Sequence, residues 1–163
     1  MRSLQKIRNS GGFTIIELML VLLVAGVLLA IGIPSFQTTI KNNQLVSTTN
    51  EIIGAINFAR VEAIKRGANV HLGGGSGNVG WAVWIDTDGD NVWDSGEEIR
   101  VWDAPPDSIA ISATGASYYV FNSLGLTSST GSLTICDDRS GETGSKIQIL
   151  GSGVVSRTSE PCS

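Results

Sequence analysis

One apolar segment near the N-terminus limits the folds open to this chain more than any other feature of the sequence. It runs from Phe13 to Phe36 and contains a single charged side chain, that of Glu17. As a helix, the segment is long enough to cross a bilayer core of about 30 Å. A carboxylate in such a span costs about 2.5 to 3.5 kcal/mol on insertion scales, so we expect it to serve a function and to have a positively charged partner. The sequence therefore predicts a membrane-anchored protein with one soluble domain.

Charges outside this segment are distributed unevenly. Residues 1–12 contain Arg2, Lys6 and Arg8 and no acidic residue. Because positively charged flanks stay in the cytoplasm, the chain after Phe36 is predicted to lie outside it. Three of the 11 basic residues and none of the 15 acidic residues belong to residues 1–12, so the remainder carries a formal charge of −7. Since affinity for nucleic acids rests mainly on lysine and arginine, this balance argues against a general nucleic-acid-binding surface.

The two cysteines, Cys136 and Cys162, both fall in the part of the chain that is predicted to be exported. Disulfides form and persist in such a compartment, so a single disulfide between the two is the favoured interpretation. Two free thiols are the alternative. A zinc site is disfavoured because the only histidine, His71, is distant in sequence.

The start of the apolar segment differs from an ordinary secretory signal. Such a signal has an apolar stretch of about 7–15 residues, followed by a cleavage site with small residues. Here Gly11-Gly12 precedes the apolar run. Cleavage after Gly12 would leave the membrane helix on the mature protein and make Phe13 its first residue. The new α-amino group would then be the nearest cation to Glu17, in the same chain or on a neighbouring copy.

This junction closely resembles the processing signal of type IV pilins and type II secretion pseudopilins. In the present chain it reads Gly12-Phe13-Thr14-Ile15-Ile16-Glu17-Leu18, after a short basic leader. The resemblance implies that a prepilin peptidase/N-methyltransferase cuts after Gly12 and methylates Phe13, so that residues 1–12 are a cleaved leader peptide. It also implies that Glu17 pairs with the N-terminal amine of an adjacent subunit during assembly.

A helical pattern continues beyond the apolar segment. Pro34 removes a backbone hydrogen bond and predicts a kink or a loosened turn. From Ile40 onward, apolar residues recur at helical spacing on one face, with polar residues elsewhere. Arg66 followed by Gly67 is typical of a helix end. We therefore expect one helix of about 80 Å. Its residues 13–36 are expected to span the membrane, and its residues 37–66 to be amphipathic.

After Gly67 the apolar pattern changes to a period of two, interrupted by turn-forming residues. The predicted strands are Asn69–Leu72, Trp81–Ile85, Glu98–Trp102, Ser108–Ser112, Tyr118–Asn122, Ser132–Cys136, Lys146–Leu150 and Val154–Thr158. With turns this frequent, antiparallel pairing is favoured over crossover connections. We expect an α+β fold in which residues 67–163 form a small antiparallel head of two sheets, packed on the apolar face of the helix.

The head sequence is similar to that of the GspH/FimT group of pseudopilins. The shared pattern comprises Gly80–Asp86, an acidic turn, Glu97–Arg100, Tyr119–Gly125 and Leu133–Cys136. The resemblance implies a pilin fold and a structural, non-enzymatic minor subunit. It also implies that such subunits prime assembly at the tip of a type IV pilus or of the secretion pseudopilus. The C-terminal cysteine pair favours the pilus, and pseudopilin H of the type II protein secretion system is the alternative.

The same resemblance implies a location and a set of partners. We expect a single-pass protein of the bacterial inner membrane, with a cytoplasmic N-terminus and a periplasmic head, which later moves to the filament tip. Its expected partners are the prepilin peptidase/N-methyltransferase and other major and minor pilins or pseudopilins.

DNA uptake is a second alternative, because some FimT-like pilins carry a basic G-R-x-R-like motif near the C-terminus. The corresponding stretch here is Gly153-Val154-Val155-Ser156-Arg157, with one arginine where two are expected. This departure argues against nucleic acid as a partner.

An acidic stretch between two predicted strands has the oxygen spacing of an EF-hand calcium loop. Relative positions 1, 3, 5, 9 and 12 are occupied by Asp86, Asp88, Asp90, Asp94 and Glu97. Asn91 stands where glycine is usual, which the tolerance of asparagine for the left-handed conformation allows. Because strands rather than helices flank the stretch, a polar hairpin with Asx turns is the alternative. No other cofactor is expected.

The remaining candidate residues predict packing rather than chemistry. Among the four tryptophans, Trp81 and Trp84 are close enough in sequence that one is expected to face the sheet interior and the other the solvent or a neighbouring subunit. His71 has no partner for catalysis in the sequence pattern. Residues 73–77 lack the lysine and the helix of a phosphate-binding loop.

Overall fold

The computed structural model describes residues 12–74 and 79–162. They belong to two compact units, one that ends at Thr39 and one that begins at Ile40. Residues 1–11 of the predicted leader and residues 75–78 of the glycine-rich turn lie outside the described residues.

The predicted helix is present as α1, Ile15–Arg66. It begins after Thr14, whose hydroxyl accepts a hydrogen bond from the backbone N–H of Glu17 at 3.3 Å, as an N-cap residue does. It ends where the sequence predicts, because Gly67 adopts a φ of +65° that stops the helix. The N–H of Ala68 then closes the last turn on the carbonyl of Ala63 at 3.3 Å.

In the first unit, α1 exposes apolar side chains along its length. The most apolar 18-residue window has a mean hydropathy of 2.8 and none of it is buried, so this part of the helix is long and apolar enough to span a membrane. Helical structure continues through Pro34, so the predicted loosening does not interrupt the helix. The hydroxyls of Thr38 and Thr39 bond to the carbonyls of Pro34 and Ser35, each at 3.2 Å.

The second unit contains the rest of α1 and two four-stranded sheets, both antiparallel as predicted. The strands are β1 Val70–Gly74, β2 Val79–Trp84, β3 Glu98–Asp103, β4 Ile109–Gly115, β5 Tyr118–Phe121, β6 Gly131–Asp137, β7 Thr143–Ile149 and β8 Val155–Pro161. The first sheet has the order β3-β2-β1-β5 and the second has the order β4-β6-β7-β8. This is the expected α+β architecture.

One apolar core joins the helix to both sheets. The helix contributes Leu45, Ile52, Ala55, Ile56, Ala59 and Ala63, and the sheets contribute Leu72, Phe121, Leu133, Ile135, Ile147 and Ile149. Small alanines on the buried face of α1 allow the sheets to approach the helix closely. Full burial of a single isoleucine or leucine contributes about 1.5 to 3 kcal/mol, so this core is the main source of stability in the unit.

Both Trp81 and Trp84 are buried, so of the two expected surroundings for the outward-facing tryptophan, solvent or a neighbouring subunit, the solvent alternative is wrong. Trp81 belongs to the core, whereas Trp84 lies on the opposite face of β2. There its ring covers Gly73, where an added Cβ would lie 3.0 Å from the ring. His71 packs beside Trp84 at 5.4 Å between ring centroids, and Tyr118 stacks on His71 at 6.1 Å. A second small layer of aromatic rings therefore covers the outer face of the first sheet.

Candidate functional site

The predicted processing and assembly residues lie at the start of α1. Gly12 and Phe13 precede the helix, and the side chain of Phe13 is 84% exposed. Glu17 is in the first helical turn, where a negative charge interacts favourably with the helix dipole. Its carboxylate is exposed and has no ion pair within residues 12–74 and 79–162. The arrangement leaves the peptide bond between Gly12 and Phe13 and the carboxylate of Glu17 accessible to other proteins.

The two cysteines form the expected disulfide, Cys136–Cys162. It ties the end of the chain to β6, and the N–H of Cys162 also bonds to the carbonyl of Glu142 at 2.9 Å. Gly144 is required beside it, since an added Cβ would lie 2.6 Å from the sulfur of Cys162. The C-terminus is therefore held by a covalent bond and by a backbone hydrogen bond.

Directly after Cys136, a charged turn holds the helix near the start of the second unit. The ammonium of Lys41 donates to both carboxylate oxygens of Asp138, at 2.7 and 2.9 Å. The guanidinium of Arg139 donates to the side-chain oxygen of Asn42 at 2.7 Å and forms an ion pair with buried Asp137. The hydrogen bond from Arg139 holds the pKa of Asp137 below its usual range. We call Lys41, Asn42, Asp137, Asp138 and Arg139 the helix clamp.

In the acidic loop, hydrogen bonds within the loop occupy most of the carboxylates. Asp86 accepts bonds from the N–H groups of Gly89 and Asn91 at 2.7 and 3.0 Å. Glu97 accepts bonds from the N–H and the hydroxyl of Thr87 at 2.7 and 2.6 Å. Strands β2 and β3 flank the loop, and Asn91 has a φ of +62°, the left-handed conformation that the sequence predicts for it.

The titration of the loop reflects these contacts. The side-chain and backbone hydrogen bonds from Thr87 lower the pKa of Glu97. Burial opposes ionisation of Asp86, but the N–H groups of Gly89 and Asn91 outweigh it and lower the pKa. The N–H of Asp90 stabilises ionised Asp88, yet desolvation and the charge of Asp90 outweigh it and raise the pKa. The loop therefore favours the ionised form of Asp86 and Glu97 and disfavours that of Asp88.

The five predicted calcium ligands form two overlapping groups rather than a single set. Asp86, Asp88 and Glu97 can bring one oxygen each within 4.8 Å of one another, and so can Asp88, Asp90 and Asp94. Asp88 belongs to both groups. Each group brings three carboxylate oxygens together, one from each residue, fewer than the six to eight oxygens that Ca²⁺ takes, so second carboxylate oxygens, water or backbone carbonyls would complete the coordination.

The C-terminal arginine that the DNA-uptake alternative uses lies on the edge strand β8. Arg157 donates to the hydroxyl of Ser145 at 3.0 Å. Lys146, on the neighbouring strand, forms an ion pair with Glu160 at 3.2 Å. Arg157 pairs with Ile147 across the strands, so both side chains lie on the same face of the sheet. Lys146 is adjacent to Ile147 and therefore lies on the opposite face. The structure does not bring these two cations together.

Comparison with known proteins identifies two family models that match separate parts of the chain. The family model of the type II transport protein GspH matches residues 48–153. The model of the prokaryotic N-terminal methylation motif matches residues 7–33. No curated protein matches the chain.

Two crystal structures of the type IV minor pilin FimU from Pseudomonas aeruginosa strain PAO1 share this fold. In one crystal form the sequence identity is 16%, and the match covers 71% of this chain and 89% of the FimU chain in the crystal, with a TM-score of 0.58. In the other, the identity is 14%, and the match covers 69% and 90% with a TM-score of 0.57. The architecture of one long helix and two antiparallel sheets is therefore the pilin fold.

Proposed function

The chain belongs to the GspH family of type II transport proteins, and we propose that it is a minor subunit at the tip of a type IV pilus, where it primes filament assembly. The C-terminal disulfide supports the pilus over the secretion pseudopilus. The observation that carries the proposal is the methylation motif at residues 7–33, which continues into the exposed apolar part of α1. A protein of this kind works by inserting its helix among other helices. Its role is structural rather than catalytic.

Processing is the first step of the proposed function. The prepilin peptidase/N-methyltransferase cuts between Gly12 and Phe13 and methylates the new amino group. Before assembly, residues 13–36 span the inner membrane, with the basic leader in the cytoplasm and the head in the periplasm, in agreement with the charge of the flanks. The exposed position of Phe13 ahead of the helix supports access by the enzyme.

Assembly is the second step, and Glu17 drives it. Its carboxylate is the only charge in the apolar segment and has no ion pair among the described residues. Burying an unpaired charge in hydrocarbon is unfavourable, so pairing with the amine of Phe13 on an adjacent subunit lowers the free energy of the assembled state. Other pilins, major and minor, are the partners.

The acidic loop is a further part of the proposal. We infer that Asp86, Asp88, Asp90, Asp94 and Glu97 bind Ca²⁺ weakly outside the cytoplasm. The EF-hand spacing, the left-handed Asn91 and the two carboxylate groups that share Asp88 support this, since a divalent cation relieves repulsion among closely spaced carboxylates.

The tip position is tested by locating the protein on filaments. In a strain that makes type IV pili, loss of the protein should reduce the number of surface pili, and immunogold labelling of a complemented strain should mark one end of each pilus. Accumulation of secretion substrates in the periplasm, with normal pili, would instead assign the protein to the type II secretion pseudopilus. Labelling along the whole filament would contradict a tip role.

A further inference from the structure

A groove of about 400 Å³ separates the exposed face of α1 from β3, an edge strand of the first sheet. Its walls are formed by Glu51, Gly54, Asn57, Phe58 and Val61 from the helix and by Arg100 and Trp102 from the strand. It lies within the second unit, and neither the processing signal nor Glu17 is part of it. The residues at its centre show two features that the fold of the head does not explain.

The first feature is a glycine in the middle of a helix. Glycine destabilises a helix interior relative to alanine, so a helical glycine usually permits a close contact. Gly54 is exposed, and a Cβ added to it would meet no atom within 4 Å among the described residues. Packing within the head therefore does not require a glycine at position 54. A second helix crossing here would require one, because small residues let two helix backbones approach closely.

The second feature is an arginine whose hydrogen-bonding groups are free. The guanidinium carbon of Arg100 lies 4.6 Å from the ring centroid of Trp102 and 5.5 Å from that of Phe58. These rings contact each other edge to face at 5.7 Å, so the planar guanidinium is held in place by stacking. Within the part of the chain that the structure describes, Arg100 has no ion pair and no hydrogen-bond acceptor. A fixed guanidinium of this kind binds carboxylates with two parallel hydrogen bonds.

We propose that the groove receives an α-helix of a neighbouring filament subunit, which crosses α1 at Gly54 and places a glutamate or aspartate against Arg100. Positions 54, 58 and 61 follow the spacing of the ridges by which helices pack together. Phe58 and Val61 would contact apolar residues of the incoming helix.

The groove also contains the carboxylate of Glu51, which accepts a hydrogen bond from the hydroxyl of Ser47 at 3.1 Å on its own helix and forms no ion pair with Arg100 among the described residues. One unpaired guanidinium beside apolar side chains fits a carboxylate on an amphipathic helix, and with Glu51 nearby it does not fit a polyphosphate chain. This inference rests on the proposed function, since it requires neighbouring subunits.

Site-specific photocrosslinking in the native cell tests the contact. The crosslinker p-benzoylphenylalanine is placed at Asn57, an exposed residue of the groove, and separately at Leu22 in the apolar part of α1. Crosslinked peptides are identified by mass spectrometry. We expect Asn57 to crosslink to a helical segment of another pilin that has an acidic residue within one turn. We also expect Arg100→Gln to lower the yield about tenfold, because a charge-assisted hydrogen bond is lost. Arg157→Gln, on the other sheet, is the matched control and should leave the yield unchanged.

Gly54→Ala separates docking from folding. The variant should melt no lower than the wild type, since alanine favours helix and the new methyl group meets no atom of the described head. It should nevertheless reduce the crosslinking yield at Asn57. Crosslinks at Leu22 to other pilins without crosslinks at Asn57, or crosslinks from Asn57 only to strands or lipid, would overturn the inference and leave the proposed function standing. Absence of pilin crosslinks at both positions would overturn both.

Discussion

Glu17 is the residue on which the proposed assembly step depends. Glu17→Ala should insert in the membrane and fold normally, yet be lost from purified filaments. Glu17→Gln, which keeps the shape and removes the charge, should fail in the same way because the pairing is electrostatic. Quantitative immunoblotting of sheared filaments against total membranes measures the effect, with Asp107→Ala as the control, since that residue is exposed in the head and has no ion pair among the described residues. Normal incorporation of either Glu17 variant would count against the pairing.

The carboxylates of the acidic loop support a second prediction at this scale. If Ca²⁺ binds, it stabilises the folded protein by about 1.4 kcal/mol at ten times its Kd, which raises Tm by a few degrees. The melting temperature of the full-length protein in detergent should therefore be higher in millimolar Ca²⁺ than in EDTA, and Asp88→Asn should remove the difference. An identical Tm in both solutions, in wild type and variant alike, would leave the loop as a hydrogen-bonded hairpin.

Asp137, buried in the helix clamp, predicts a dependence of stability on pH. The hydrogen bond from Arg139 lowers its pKa in the folded protein. The resulting stabilisation is complete at pH values above the pKa that Asp137 has in the unfolded protein, near 4. It is lost as the pH falls through the lower pKa that Asp137 has in the folded protein. Chemical denaturation should show that stability decreases below about pH 4. Asp137→Asn should be less stable at neutral pH and should lose less stability on acidification. An equal acid dependence in both proteins would contradict this assignment.

At the scale of elements, the disulfide connects β6 to the end of the chain. The cysteines are 26 positions apart, and closing a loop of this size contributes about 3.5 kcal/mol in the chain-entropy model. Cys136→Ser, Cys162→Ser and the double variant should therefore lose the same stability in urea denaturation, since each removes the same bond. Unequal losses, or alkylation of both cysteines in the exported protein without a reductant, would argue against the bond.

Local sequence patterns predict the helix and the strands, because a cap residue, a glycine or an alternation of apolar residues each favours one local structure. Capping by Thr14 and the left-handed Gly67 set the ends of α1. Alternation of apolar and polar residues identifies all the strands of both sheets. Their ends differ where pairing extends them: β4 continues to Gly115, past the predicted end at Ser112, because Gly115 pairs with Gly131.

Contacts between distant residues are what the sequence does not reveal. In the helix clamp, Lys41 and Asp138 are 97 positions apart, and so are Asn42 and Arg139. Nothing in the local pattern of either segment points to the other. The groove beside Gly54 cannot be predicted from the sequence for the same reason, since Arg100 lies on a strand far along the chain. The charged run after Cys136 is a local signal for the clamp, but alone it resembles an ordinary solvated turn.

At the scale of the whole molecule, the two units have different sources of stability. The second unit has an apolar core of its own, formed by α1 and the two sheets. It is further stabilised by the disulfide and by the helix clamp. The first unit buries none of its most apolar window, so it depends on lipid or on other helices to cover its surface. A chain built in this way can fold its head independently of assembly and keep its apolar segment for partners.

The central claim, that this chain is processed as a pilin-like subunit, is tested most directly by the mass of its N-terminal peptide. The protein is purified from the membranes of cells that contain the prepilin peptidase/N-methyltransferase and is digested for mass spectrometry. We predict a peptide that begins at Phe13 and carries one methyl group on its amino nitrogen. A peptide that begins at Met1, recovered from those same cells as the main form, would contradict the claim.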